Sequence, residues 1–147
     1  MRDLQGSISA SALILAASLN ADNTPIAVDL RGFESAVVLI NVGAGGITFD
    51  TTNKIEFVLS HSNDGTTWDV VTASEVQMPS GQTLGAGGVV RALVAAKAAA
   101  DAAPTEIGYI GDRRYIRLLA DFSGTHGAGT IIAATAVRGN PHVGPSA

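Results

Sequence analysis

Short runs of β-forming residues, each followed by glycine, asparagine, aspartate or proline, recur along the chain and constrain its fold more than any other feature. Such runs favour antiparallel strands in a sandwich or barrel over alternating strands and helices. We expect about eight strands, the number in a jelly roll. The predicted strands are residues 8–15, 26–30, 35–42, 55–60, 68–72, 89–94, 115–122 and 130–137. The predicted fold is therefore an all-β, jelly-roll-like sandwich in a single domain, residues 1–147.

Two of these runs indicate how their strands are covered. In residues 115–122 every second side chain is apolar, which predicts one face in the core and one facing outward. The apolar face consists of Ile116, Leu118, Ala120 and Phe122. Residues 36–40 are apolar at every position, which suits either a central strand covered on both sides or a strand that faces a neighbouring subunit.

The clearest turn of the sequence lies at Asn63, Asp64 and Gly65, between two predicted strands. These residue types tolerate the positive φ angles of a tight turn. We therefore predict a β-hairpin there.

Two segments fit the strand pattern less well. Residues 7–19 match neither the helical nor the strand period cleanly, and we favour a strand. Residues 92–103 are rich in alanine and stop at Pro104, which predicts a short helix or an excursion outside the sheets. At the termini, residues 1–6 and 139–147 carry too few apolar side chains to fold on their own, so we expect two extended arms that contact other subunits.

Charge and composition exclude several classes of partner. The net charge is −4, and the nine lysines and arginines are not clustered, so no electrostatic surface for nucleic acid is expected. No apolar stretch reaches the roughly 20 residues that a membrane span needs, so no membrane partner is predicted. Only 15% of residues are charged, which indicates that part of the surface is covered by other subunits.

A search for catalytic chemistry finds no nucleophile motif and no complete phosphate-binding loop. The chain has no cysteine, which excludes disulfides and thiolate metal sites. His61, His126 and His142 are far apart in sequence, so no local pair of metal ligands is present. We therefore predict that the protein is not an enzyme and has no catalytic, cofactor-binding or metal-binding residues.

Three aspartates and one tryptophan have alternative interpretations. Calcium ligation would need carboxylates at regular alternating positions, so turn capping is favoured. The aspartates are Asp50, Asp64 and Asp69. Trp68 is either a platform for a sugar or an anchor in the core, and the core is favoured. On the outward face of its strand, Arg117 is expected to pair with Asp121.

Two stretches taken together resemble a known family. Residues 61–68 read His-Ser-Asn-Asp-Gly-Thr-Thr-Trp, and residues 114–118 read Arg-Tyr-Ile-Arg-Leu. They are similar to a signature of discoidin-like, galactose-binding jelly rolls. The resemblance implies the fold and makes a carbohydrate-binding module one alternative function.

A second resemblance covers about the second half of the chain. Residues 55–68, 107–111, 114–126 and 129–142 resemble a small family of head and structural proteins of tailed bacteriophages and prophages. It implies a virion structural protein, and a capsid decoration or cement protein that bridges capsomers is favoured over a tail or head-tail connector component. The implied partners are the major capsid protein and copies of the chain itself in a symmetric oligomer, a dimer or trimer. The implied location is the capsid surface, after synthesis in the cytoplasm of the bacterial host.

Overall fold

A computed structural model describes residues 3–142, which form ten strands and one 3₁₀ turn. The 3₁₀ turn is Gln5–Ser7, and the strands are β1 Ile8–Leu19, β2 Val28–Asp29, β3 Phe33–Val42, β4 Lys54–Ser62, β5 Asp69–Val70, β6 Val76–Gln77, β7 Val89–Leu93, β8 Thr105–Tyr109, β9 Tyr115–Ser123 and β10 Thr130–Pro141. No α-helix occurs among residues 3–142. The prediction of an all-β sandwich is confirmed.

The ten strands form two antiparallel sheets. Sheet A has the order β1-β10-β3-β8-β6, and sheet B has the order β2-β9-β4, with β5 and β7 both pairing along the far edge of β4. Strands β1, β2, β3 and β4 pair with β10, β9, β8 and β7 respectively. The chain is therefore one long hairpin rolled into two layers, which is the arrangement of a jelly roll.

The core lies between the two sheets and follows the period of two along the strands. Val38 and Ile40, on the central strand β3 of sheet A, are fully buried. In sheet B, Phe57 on β4 and Ile116 and Leu118 on β9 are also fully buried. Ala120 is also buried and Phe122 packs against the core, so the predicted inward face of residues 115–122 is confirmed.

Strand β2 has only two residues, and beyond it side chains instead of backbone groups form hydrogen bonds with β9 at the edge of sheet B. The Ala120 amide donates to Asn23 Oδ1 at 2.7 Å, and Asn23 Nδ2 donates to the Leu118 carbonyl at 3.2 Å. The Phe122 amide donates to Asp22 Oδ1 at 2.7 Å. These bonds satisfy backbone groups of β9 that a longer β2 would otherwise pair.

The predicted hairpin joins β4 to β5, where Ser60 pairs with Val70. Gly65 has a φ of 73°, and Asp64 Oδ1 accepts hydrogen bonds from the Thr66 and Thr67 amides, both at 2.8 Å. These bonds hold the pKa of Asp64 at about 2. The hairpin is confirmed, and so is the capping role of Asp64.

Other sequence predictions need correction at their boundaries. Residues 7–19 form a strand, as favoured, but it continues to Leu19 instead of stopping at residue 15. Residues 92–103 contain no helix: the first two end β7, and the rest form the predicted excursion. Helix propensity is overridden there because the segment is fixed through Asp101, whose carboxylate accepts the Val42 amide at 2.8 Å. Strands β6 and β8 were not predicted.

The predicted arms are also only partly separate from the sandwich. Gly139 pairs with both Ile8 and Ser35, and Pro141 pairs with Phe33, so residues 139–141 complete β10 instead of starting an arm. In the N-terminal segment, the Ser7 amide donates to the Leu4 carbonyl at 2.9 Å in the 3₁₀ turn. Residues 1–2 and 143–147, the remainder of the predicted arms, lie outside the described residues.

Candidate interaction surface

The outward face of sheet A is apolar over most of its area. Because inward positions of β10 and β3 are even-numbered, the odd-numbered side chains point away from the core. We define the sheet A face as Ile8, Ala10 and Ala12 on β1, Val37 and Leu39 on β3, Gly108 on β8, and Ile131, Ala133, Thr135 and Val137 on β10. Ile131 is 51% exposed and Ile8 is 38% exposed.

Strand pairing places these side chains in continuous rows. Val137 lies opposite Ala10 on one side and Val37 on the other, and Val37 lies opposite Gly108. In the next row, Thr135 lies between Ala12 and Leu39. On β1, β10 and β3, none of the described outward positions carries a charge; the nearest charge in these rows is Glu106 on β8, opposite Leu39.

The outward face of sheet B has a different character. Lys54 and Glu56 on β4 form an ion pair of 3.0 Å, and Arg117 and Asp121 lie on the neighbouring strand β9. A solvated sheet face normally carries polar outward residues in this way. The two outward faces therefore differ, because the sheet A face carries apolar side chains where the face of sheet B carries charged ones.

The position of β3 bears on the alternatives left open for residues 36–40. Ala36, Val38 and Ile40 point into the core, whereas Val37 and Leu39 lie on the sheet A face and are partly exposed. No further layer of the described chain covers that face. Residues 36–40 therefore lie in a central strand that the described chain covers on one side only.

A buried polar cluster links the two sheets. His61 on β4 is 1% exposed, and its Nδ1 lies 2.9 Å from the Tyr109 hydroxyl on β8. The Arg113 amide donates to the same hydroxyl at 3.2 Å. Burial lowers the pKa of His61, and the Glu75 carboxylate, 3.7 Å from Nε2, only partly opposes the shift. His61 is therefore an interior residue that continues the inward register of β4, one position before the strand ends at Ser62.

A second polar link joins β7 to the end of β3. The Arg91 guanidinium donates to both carboxylate oxygens of Asp101, at 2.7 and 2.9 Å, and to the Ile40 carbonyl at 3.4 Å. Burial alone would raise the pKa of Asp101, but the bonds from Arg91, the Val42 amide and Lys97 outweigh it and hold the pKa at about 2. The pair has a structural role, since its bidentate contact is tied to β3 through the Ile40 carbonyl and the Val42 amide.

An open groove of about 770 Å³ lies at one end of the sandwich, between the segment that begins β3 and the β8–β9 loop. Two arginines that line it are already engaged by carboxylates of the same chain. Arg113 Nη1 lies 2.6 Å from Asp69, and Arg114 makes a double contact with Asp29 at 3.0 and 2.8 Å. Two of the positively charged side chains that line the groove are therefore already paired with carboxylates of the same chain.

The other histidines and aspartates that the sequence analysis considered as metal ligands lie apart from one another. His126 packs against Phe122 and Phe49, and His142 is an exposed residue next to Glu34. Asp50 caps a turn through the Thr52 and Asn53 amides, as predicted, whereas Asp69 pairs with Arg113 instead of capping. No group of three or more potential metal ligands occurs within residues 3–142.

The aromatic side chains that could stack on a sugar are at least partly covered by other residues of the chain. The prediction that Trp68 anchors the core is wrong. Trp68 is half-buried, and the Arg117 guanidinium lies 4.2 Å from its ring centre. Arg117 therefore stacks on Trp68 instead of pairing with Asp121, because the β4–β5 hairpin places the indole over its strand. Tyr109 is buried, and Tyr115 has Arg114 at 4.9 Å from its ring centre.

Comparison with known proteins returned no match: no family model, no curated protein and no solved structure is significantly similar to the chain. The two resemblances drawn from short sequence motifs thus stay predictions. Within residues 3–142, no helix has the length and apolar character that crossing a membrane requires.

Proposed function

We propose that the protein is a structural component of a tailed-phage virion, bound to the capsid as a decoration or cement protein. Its partners are the major capsid protein and copies of itself, and its location is the capsid surface. The proposal makes it a non-enzymatic protein whose role is to hold subunits together.

The sheet A face carries this proposal. A soluble monomer gains nothing from an uncharged apolar sheet face, and such patches mark contact surfaces. The jelly roll is itself a fold common in viral capsid proteins, which supports the proposal by analogy. The phage-family resemblance of the second half of the chain points in the same direction.

The mechanism is mechanical. Two polar links connect the sheets below the face: His61 bonds to Tyr109, and Arg91 reaches β3 through the Ile40 carbonyl and through Asp101, which accepts the Val42 amide. Such links support the shape of a binding face. Burial of its apolar side chains against other subunits supplies the binding free energy. Each contact can be weak, since repetition over a symmetric shell raises the total avidity.

The test is to purify phage particles from the strain that encodes the chain and to separate heads from tails. The protein should be found by mass spectrometry in the head fraction, at a fixed ratio to the major capsid protein. Thr135→Lys, on the sheet A face, should lower that ratio, because it buries a charge at the contact.

Leu119→Lys is the matched control, since Leu119 lies opposite Val58 on the outward face of sheet B, next to Asp121. It should leave the ratio unchanged. Absence of the protein from purified particles, or its presence in tails only, would overturn the proposal.

A further inference from the structure

We infer that the outer edge of β1 pairs with the same edge of a second copy of this chain, antiparallel, about a two-fold axis beside Ala10. Backbone groups at the side of sheet A make this contact, and the sheet A face stays free for another partner. The dimer gives one partner of the proposed function, a copy of the chain, a defined position. It does not depend on binding to a capsid.

The outer edge of β1 is open for strand pairing. Strand β1 pairs with β10 on one side, and no strand of residues 3–142 lies on its other side. Such an edge presents unpaired N–H and C=O groups, which a second extended polypeptide matches with a ladder of hydrogen bonds. Edge strands that stay single normally carry charged residues or proline, which hinder this pairing. Residues 4–20 contain neither, so the sequence leaves this edge unprotected.

The regular part of β1 determines where two copies can pair. Residues 8–12 keep an unbroken register with β10, from Ile8 opposite Gly139 to Ala12 opposite Thr135. A 3₁₀ turn precedes this segment, and a register shift follows Ala12. Both irregularities hinder a further ladder, since a bulge bends a strand and leaves residues unpaired. Ala10 is the middle residue of the segment, so an antiparallel pair centred there uses the whole segment in both copies.

The side chains of this segment fit an inverted copy of themselves. In a two-fold contact the same surface meets itself, so each residue before Ala10 lies opposite one after it. Ile8 of one copy lies opposite Ala12 of the other, and a large side chain meets a small one. Ser9 lies opposite Ser11 of the second copy, and the two copies of Ala10 face each other. No charge of the segment meets a like charge, because the segment carries none.

The two serines favour a second copy over other strands. Arg138 Nη2 donates to both Ser9 Oγ and Ser11 Oγ at 2.8 Å, so each hydroxyl already accepts one hydrogen bond. Each hydroxyl also has its own hydrogen and a second lone pair, and within residues 3–142 neither makes another hydrogen bond. The serine opposite, in the second copy, supplies a hydroxyl that accepts this hydrogen or donates its own. A two-fold pair therefore gives each serine a partner on both sides of the axis.

The two copies of Arg138 do not oppose the contact. Arg138 lies on β10, so three strand spacings, or at least about 14 Å, separate its two copies across the dimer. That distance exceeds the Debye length of about 8 Å at physiological ionic strength, so their repulsion is largely screened.

Exposed leucines lie on either side of the paired segment. Leu15 is 67% exposed and Leu4 is 66% exposed, the highest values for large hydrophobic side chains within residues 3–142. Leu15 follows Ala10 by five residues, and Leu4 precedes it by six. An antiparallel pair therefore brings Leu15 of one copy near Leu4 of the other at both ends of the contact. Their burial adds an apolar contribution to the hydrogen bonds of the backbone.

The experiment measures the mass of the purified full chain by analytical ultracentrifugation. One pair of short strands is a small contact, so we expect a dissociation constant on the order of 100 μM and extend the measurement to about 1 mM. The wild type should dimerise over this range. Ala10→Lys and Ala10→Asp should each stay monomeric, because like charges then face each other at the axis. An equal mixture of the two variants should dimerise again, because opposite charges meet.

Thr135→Lys is the matched control, since residue 135 lies on the sheet A face and one strand away from the edge. It should dimerise like the wild type. Circular dichroism should show that every variant is folded, as expected for substitutions at the exposed Ala10. A wild type that stays monomeric, or a mixture that fails to dimerise when the wild type does, would overturn the inference.

A second readout tests the register. The chain has no cysteine, so single cysteines can be introduced cleanly. Ala10→Cys should form a disulfide-linked dimer on mild oxidation, because directly opposite residues of an antiparallel pair have Cα atoms about 4.5 to 5.5 Å apart, within the range of a disulfide. Thr135→Cys should stay monomeric under the same oxidation, since its two copies lie at least about 14 Å apart.

The outcomes separate this dimer from the proposed function. A disulfide at residue 135 and none at residue 10 would show that the sheet A faces pair instead of the edges, which contradicts the inference. A monomer found on phage heads would contradict the inference alone. If the dimer forms as expected but the protein is absent from particles, only the proposed function fails.

Discussion

The imidazole of His61 and the phenol of Tyr109 connect sheet B to sheet A through a hydrogen bond of 2.9 Å. The Tyr109 hydroxyl also accepts the Arg113 amide proton at 3.2 Å. His61 Nε2 faces Glu75 at 3.7 Å, and which ring nitrogen carries the proton decides whether Nδ1 donates to the hydroxyl or accepts from it. Burial lowers the pKa of His61, so the folded state favours the uncharged imidazole.

The first prediction is that stability falls as the solution is acidified below about pH 6.5, the pKa of an unperturbed histidine. Burial lowers the folded pKa of His61, while Arg113 opposes the proton and Glu75, Asp69 and Asp112 favour it. Because the unfolded chain binds the proton more tightly, the contribution is fully present above the unfolded pKa and is lost as pH falls through the folded one. Urea unfolding between about pH 5 and 8 measures it.

His61→Gln removes the titrating group and should flatten this part of the profile. His142→Gln is the control, because the side chain of His142 is 55% exposed and lies outside the buried cluster. It should keep the slope of the wild type. An equal slope in the wild type and His61→Gln would show that His61 does not couple folding to protonation.

The second prediction concerns Arg91 and Asp101, whose side chains are only 15% and 13% exposed. Asp101→Asn should lower the free energy of unfolding by about 2 to 4 kcal/mol, because it leaves Arg91 partly buried without its anion. The pKa of Asp101 is about 2 in the folded state, so this contribution should persist down to about pH 4 and disappear towards pH 2. The double variant Arg91→Met, Asp101→Leu should recover part of the loss, and a larger loss than in Asp101→Asn would contradict this account.

The third prediction compares two glycines in loops. Gly65 has a φ of 73°, so Gly65→Ala should cost about 1 kcal/mol of stability through backbone strain. An added Cβ would meet only the Tyr115 ring at ordinary contact distance, 3.7 Å, so packing adds little. Gly127→Ala is the control, since no positive φ is found there and nothing lies within 4 Å of the added atom. Chemical unfolding should separate the two, and equal effects would show that the turn does not need glycine.

The sequence was sufficient to predict the fold class and most strands because its signals are local. Alternation in residues 115–122 and the turn at Asp64 and Gly65 each depend on neighbours within a few positions. Strands β6 and β8 were missed because each is short and gains its conformation from pairing with distant residues, as Val76 does with Tyr109.

The polar links and the position of Trp68 could not be predicted for a similar reason. His61 and Tyr109 are 48 residues apart, and only the packing of two sheets brings them together. The odd-numbered apolar residues from Ile131 to Val137 were a usable signal for the sheet A face, since an outward β face is normally polar. Recognising it required knowing which side of β10 faces the core.

The last prediction concerns the end of β10, which the sequence placed in a free arm. Gly139 pairs with Ile8 and Ser35, Asn140 Nδ2 donates to Ser35 Oγ at 3.1 Å, and the His142 amide donates to the Gly32 carbonyl at 2.9 Å. A chain truncated after Arg138 should therefore be less stable than one truncated after His142, by about 1 to 3 kcal/mol, since several backbone hydrogen bonds are lost. The two truncations share the loss of residues 143–147, so their difference isolates residues 139–142. Thermal unfolding of both proteins measures this difference in stability. Coincident melting curves would show that the strand pairing of residues 139–142 does not stabilise the sandwich.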